Sequence, residues 1–168
     1  MKNKFNSIFV FTLILVIGLG CGGLKEVTEF ADKNAKPKTV TSKDGQVSLE
    51  IPTTWTDLSN SKDFPEGAIM FVGQPIQELY TVVIPDEKID FADSADLDTV
   101  TKLVKDNTSQ TIQDAKFTDA VPLKVNNFDA QRFEADGVLD SLKIKYIFTI
   151  IETKDRYYQV ISWTLNSR

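Results

Sequence analysis

The chain has 168 residues with 42% hydrophobic side chains, 19 basic against 24 acidic residues, one cysteine and no histidine. The missing histidine removes the commonest general base and metal ligand, and a lone cysteine closes no intramolecular disulfide. The acidic balance, without any Lys/Arg cluster, argues against nucleic acid or anionic lipid as a partner, because both are bound through basic patches.

The first segment opens with Lys2 and Lys4, runs through an apolar stretch from Ile8 to Leu19 broken only by Thr12, and ends in Gly18-Leu19-Gly20-Cys21. A helix needs about 20 apolar residues to cross a bilayer core, so this stretch reads as an export signal rather than a permanent span. Its last four residues resemble the lipobox of bacterial lipoproteins, although that family usually has a larger aliphatic residue where Gly18 stands. The resemblance implies that residues 1–20 are removed and that Cys21 becomes a lipidated N-terminus. Losing those residues removes two lysines and no acids, leaving 17 basic against 24 acidic side chains, a formal charge of -7. Residues 21–38 then form the lipidated cysteine and a tether, with Leu24, Val27 and Phe30 as a thin apolar stripe. Residues 39–168 are the length of a single domain.

Within that domain, Thr39 to Lys43 and Gln46 to Ile51 predict two short strands around an Asp44-Gly45 turn, with Val47, Leu49 and Ile51 on one face. Pro52 ends the second strand, and Trp55 is expected to pack over the sheet's edge. Residues 68–72 and 79–84 are the next strands, on either side of Gly73-Gln74-Pro75. An acid-rich stretch from Asp86 to Asp98 leads into a helix from Leu97. Val100, Leu103, Val104 and Ile112 give that helix its apolar stripe, and Ser94 or Asp96 is placed to cap it. Leu123 to Val125 and Phe128 to Ala135 predict a hairpin around Asn126-Asn127.

The last two strands carry the sharpest signal. Leu142, Ile144, Tyr146, Phe148 and Ile150 alternate with polar or second-face residues, and Tyr157, Gln159, Ile161, Trp163 and Leu165 do so after a Lys154-Asp155 turn. Ile147, Ile151, Tyr158 and Val160 make the second face apolar too, so both sides of this region should be covered.

Three stretches resemble the PsbP/DcrB-like proteins of the Mog/PsbP fold: Asp44 to Pro52 leading to Trp55, the helix from Leu97, and Tyr157 to Thr164. The resemblance implies an α+β domain, an antiparallel sheet flanked by helices. It also implies a C-terminal helix beyond the last strand, which this sequence, ending Asn166-Ser167-Arg168, does not provide. Three outcomes follow for the second face: the helix from Leu97 covers it alone, an apolar patch remains as a docking surface, or the sequence is truncated before the helix that would cover it. Members of this group have diverse roles, so the resemblance carries fold and not activity.

Three sets of residues are candidates for chemistry. Cys21 is the lipidation site. Asp86, Asp90 and Asp93 are oxygen ligands that calcium accepts, yet they lack the glycine and spacing of an EF-hand, and a solvated loop before a helix explains them as well. Trp55, Trp163 and Tyr158 could line a ligand pocket, although aromatics at alternating strand positions more often fill the space between sheet and helix. No catalytic constellation, zinc site or cofactor motif is present, so the chain is not expected to be an enzyme. The expected function is a lipid-anchored, extracytoplasmic, non-catalytic binding or accessory module for an envelope protein complex, held on the outer side of a bacterial membrane. A carrier for a small ligand or calcium ion, associated with transport, is the alternative.

Overall fold

A computed structural model describes residues 36–91 and 95–165. Cys21, the tether up to residue 35, Asp93, Ser94 and residues 166–168 lie outside the described residues. The strands are β1 Lys38–Thr41, β2 Ser48–Ile51, β3 Thr56–Asp57, β4 Met70–Gln74, β5 Leu79–Glu87, β6 Gln113–Phe117, β7 Val121–Val125, β8 Phe128–Leu139, β9 Leu142–Glu152 and β10 Arg156–Leu165. Among the described residues one α-helix, α1 Leu97–Thr111, lies between β5 and β6. Short 3-10 turns cover Pro75–Gln77 and Lys88–Asp90.

Eight strands form one antiparallel sheet in the order β3-β4-β5-β10-β9-β8-β6, with β7 also paired to β8. The β9–β10 hairpin expected from alternation is present, with Phe148 opposite Ile161 and Tyr146 opposite Trp163. The Asn126 turn between β7 and β8 takes its positive φ of 54°, which asparagine tolerates better than most residues. The sequence expectation of an α+β domain with an antiparallel sheet holds.

α1 starts at Leu97 because the Asp96 carboxylate accepts the Thr99 amide at 2.8 Å, satisfying one of the free N–H groups of the first turn. Its buried residues are Val100, Thr101 and Val104. Leu103 corrects the expected stripe: it stands 43% exposed. At 3.6 residues per turn it projects about 110° from the centre of the face formed by Leu97, Val100, Thr101 and Val104.

The two faces of the sheet carry separate cores. On one face, Val100, Val104 and Ile112 close over Phe71, Val82, Phe133, Phe148, Ile150, Tyr157 and their neighbours. On the other, Met70, Val72 and Val83 are covered by Val40 and Ile51 of the β1–β2 hairpin, with Val47, Leu49, Trp55, Tyr158 and Val160 at the margin. The hairpin is a sheet of its own, in which Val40 pairs with Leu49 across a turn where Gly45 holds φ at 72°. The expectation that α1 alone might cover the second face is therefore corrected. α1 lies on the opposite side, and the hairpin covers the region of Tyr158 and Val160. Burial of each such Val, Ile or Phe contributes about 1.5–3 kcal/mol, which makes two half-cores sufficient without any disulfide.

Candidate functional site

Four strands bring aromatic side chains into one row on the α1 face. The register Gly73–Tyr80 and Tyr80–Trp163–Tyr146 sets these residues directly opposite one another across β4, β5, β10 and β9. Phe71 stacks against Trp163 with ring centroids 5.9 Å apart and planes within 10°. Tyr80 stacks on the same indole at 5.4 Å, and Tyr146 stands 6.4 Å away. Phe148 and Phe133 continue the cluster at 4.8 Å.

Glycine at position 73 is required by this row. A Cβ there would sit 2.6 Å from the Leu79 carbonyl oxygen and 2.7 Å from the Tyr80 ring. Burial pushes the Tyr146 hydroxyl well above its ordinary ionisation range. Tyr80 is raised first by burial and then by the carboxylates of Glu78 and Asp63. Tyr80 is the half-buried end of the row, whereas Trp163 is only 8% exposed.

The candidate pocket residues are divided by the sheet. Trp163 belongs to the row on the α1 face, whereas Trp55 and Tyr158 pack on the hairpin face. They cannot line one pocket together. Side-chain alternation decides this, since Tyr158 and Trp163 stand at odd spacing on the same strand and therefore on opposite sides.

Tyr158 belongs instead to a polar clasp that fastens the hairpin turn to the sheet. Its hydroxyl donates to Gln46 Oε1 at 3.3 Å, and Arg156 donates to the same oxygen at 3.0 Å. The Arg156 guanidinium also pairs with Glu87 at 2.6 Å and reaches Asp44 at 3.6 Å. The Ser42 hydroxyl donates to Asp44 at 2.5 Å and, with the Gln46 amide and Arg156, holds the Asp44 carboxyl below its ordinary 3.8. A depressed carboxyl stabilises the fold above its unfolded value and loses that contribution as pH falls through the folded one.

At the same end of the sheet, Asp86 is half-buried on β5 and accepts from Gln159 Nε2 at 2.7 Å. Burial raises its pKa, and the charge of Asp90 adds to the rise. Lys88 and Glu152 pair at 2.7 Å beside it, and the Tyr157 hydroxyl donates to the Ala95 carbonyl at 2.9 Å. Asp90 is exposed on the 3-10 turn. Asp86 and Asp90 are thus brought near each other, whereas Asp93 lies outside the described residues. Among the described residues no three His, Cys, Asp or Glu side chains gather in a metal-binding arrangement.

Apolar side chains also face outward. Ile76 and Ile89, on the two 3-10 turns, are 86% and 90% exposed. The sequence reading missed both, since a single isoleucine in a polar turn gives no periodic signal.

No protein-family model matches the chain, and no curated protein matches it. Solved structures do. LpqN of Mycobacterium tuberculosis, a protein involved in cell envelope biogenesis, matches with a TM-score of 0.57 at 12% identity, covering 83% of this chain and 85% of LpqN. The cyanobacterial PsbP protein CyanoP, from Synechocystis sp. PCC 6803, matches with a TM-score of 0.58 at 14% identity, covering 89% of this chain and 87% of CyanoP. At these identities the likeness establishes the fold alone: the domain has a PsbP-like fold.

Proposed function

We infer that this protein is a lipid-anchored, extracytoplasmic binding or accessory module that docks on an envelope protein complex and performs no catalysis itself. The observation that carries the reading is the pair of isoleucines presented to solvent at the turns before and after β5, Ile76 and Ile89. A nine-residue strand separates these turns by about 30 Å, so a rigid scaffold offers apolar anchors at opposite rims. The lipobox-like Gly18-Leu19-Gly20-Cys21 supplies the membrane attachment. A role in the envelope is consistent with the involvement of LpqN in cell envelope biogenesis.

In-cell crosslinking followed by mass spectrometry tests this reading. An enriched envelope protein that is lost on Ile76→Asp or Ile89→Asp supports it. Recovery of no protein beyond the background of an unrelated lipoprotein contradicts it.

A small-ligand carrier is the second reading, favoured by the half-buried Tyr80 end of the aromatic row with Glu78 and Asp63 beside it. Copurification of a small molecule whose retention falls with Tyr80→Ala would support the carrier over the docking module.

A further inference from the structure

The β1–β2 hairpin turns the second face of the sheet into a step. It stands over Met70 and Val72 of β4 and Val83 of β5, and its cover ends at Tyr158 and Val160 of β10. No described helix or strand stands over β9, β8 and β7 on this side, because α1 packs on the other. Register and alternation fix what the open half presents. One row runs Val160, Thr149, Arg132 and Val121, and another, two rungs along, holds Lys145 beside Asp136. Val121 is 60% exposed, Arg132 is exposed and Val160 is half-buried.

We propose that two copies of the chain pack face to face through this open half, about a two-fold axis that runs parallel to the strands between β8 and β9. The step selects that axis. It sets β10 over β7 of the second copy and β9 over its β8, so that each hairpin falls beyond the other copy's β7 edge. An axis across the strands would drive the two hairpins into one another. The packing also covers an open edge, since among the described residues β7 pairs with β8 alone.

Side chains then meet their complements. Val160 comes over Val121 of the second copy, apolar on apolar, and Lys145 comes over Asp136 of the second copy. Within its own chain Arg132 donates to the Thr149 hydroxyl at 3.1 Å and joins no ion pair among the described residues. Across the axis, Glu134 of the second copy stands two residues along the facing strand, about 13 Å away between Cα atoms at the usual strand and sheet spacings. An extended arginine and glutamate close that gap. Glu134 holds Lys145 of its own chain at 2.7 Å through Oε2, which leaves Oε1 for the guanidinium. Symmetry makes each of these contacts twice.

Charge favours this face over the rest of the surface. The chain carries a formal charge of -5, so copies repel one another in general, whereas here Arg132 and Lys145 balance Glu134 and Asp136. Four strands by seven residues amount to about 450 Å² of each sheet, a little over half of one partner's share in a standard interface. The dimer is therefore weak and depends on concentration. It rests neither on lipid at Cys21 nor on Ile76 and Ile89.

The test places the photocrosslinker benzoylphenylalanine at position 121 of the full chain in its native membranes, followed by irradiation, gel electrophoresis and mass spectrometry of tryptic peptides. The expected result is a band of twice the chain's mass, in which position 121 is joined to peptide 157–168 or to hairpin peptide 44–62 of the second copy. Its yield should fall at least several-fold with Arg132→Glu and persist with Arg132→Lys. Asp136→Lys, which reverses the other pair, should lower it likewise, and circular dichroism of each variant checks that the sheet persists. Absence of the doubled band would overturn the proposal, as would a doubled band joined at α1, a crosslink only to lipid or to another protein, or a yield that neither charge reversal changes.

Discussion

Arg156 at the start of β10 and Glu87 at the end of β5 form an ion pair at 2.6 Å across adjacent strands, and the same guanidinium reaches over to the turn of the β1–β2 hairpin. One side chain therefore joins the large sheet to the small one that covers its second face. The hairpin has few other polar ties to the sheet, among them the Lys43 amide donating to the Ile69 carbonyl at 3.0 Å.

Arg156→Ala is expected to loosen the hairpin selectively. Amides of β1 and β2 should exchange with deuterium faster than in the parent protein, while those of β9, at the centre of the sheet, stay unchanged. Because these groups are partly open to solvent, 1 M salt should reproduce part of the effect in the parent and add nothing in the variant. Hydrogen exchange read by mass spectrometry checks both points.

Asp86→Asn should raise stability at neutral pH. The folded-state pKa of Asp86 is raised, chiefly by burial, so the folded protein binds this proton more tightly than the unfolded chain. Stability consequently falls as pH rises through the window between the unfolded value near 3.8 and the higher folded value. Asparagine removes the charge and keeps an acceptor for Gln159. The gain in melting temperature should be present at pH 7 and vanish below the ordinary carboxylate range, and a pH series of thermal melts reads it directly.

Gly73→Ala should destabilise the protein by about 1–3 kcal/mol, as overpacked sites do. The Leu79 carbonyl at 2.6 Å is backbone and cannot rotate aside, and the Tyr80 ring is held by its stack with Trp163. Urea denaturation followed by tryptophan fluorescence measures the loss. An unchanged midpoint would show that the row can shift.

Much of the fold was legible because local chemistry carried it. Asp44-Gly45 announced one hairpin, Asn126-Asn127 another, and the alternation from Leu142 to Leu165 named the two central strands. β6 was not legible. Its five residues, Gln113–Phe117, contain Asp114 at φ 53° and a register shift before Lys116, so the period of two is broken within the strand. The two residues of β3 are too few to show any period. The site was harder to read than the fold. Trp163 was recognised as a core aromatic, but its partners Phe71 and Tyr80 come from strands more than 80 residues earlier. Only the adjacency of β5 and β10 creates the row, and no local pattern encodes that adjacency. The side of Tyr158, by contrast, was legible from alternation along the last strand, which sets it opposite Trp163.

Membrane attachment turns on Cys21. Growth with radiolabelled palmitate, followed by purification and intact-mass analysis, should show label on the protein and a mature chain beginning at a diacylglyceryl-modified Cys21. Cys21→Ser should abolish both the label and the membrane fractionation. An unlabelled protein whose cysteine remains a free thiol, or a serine variant that still fractionates with membranes, would contradict the anchor and with it the proposed function.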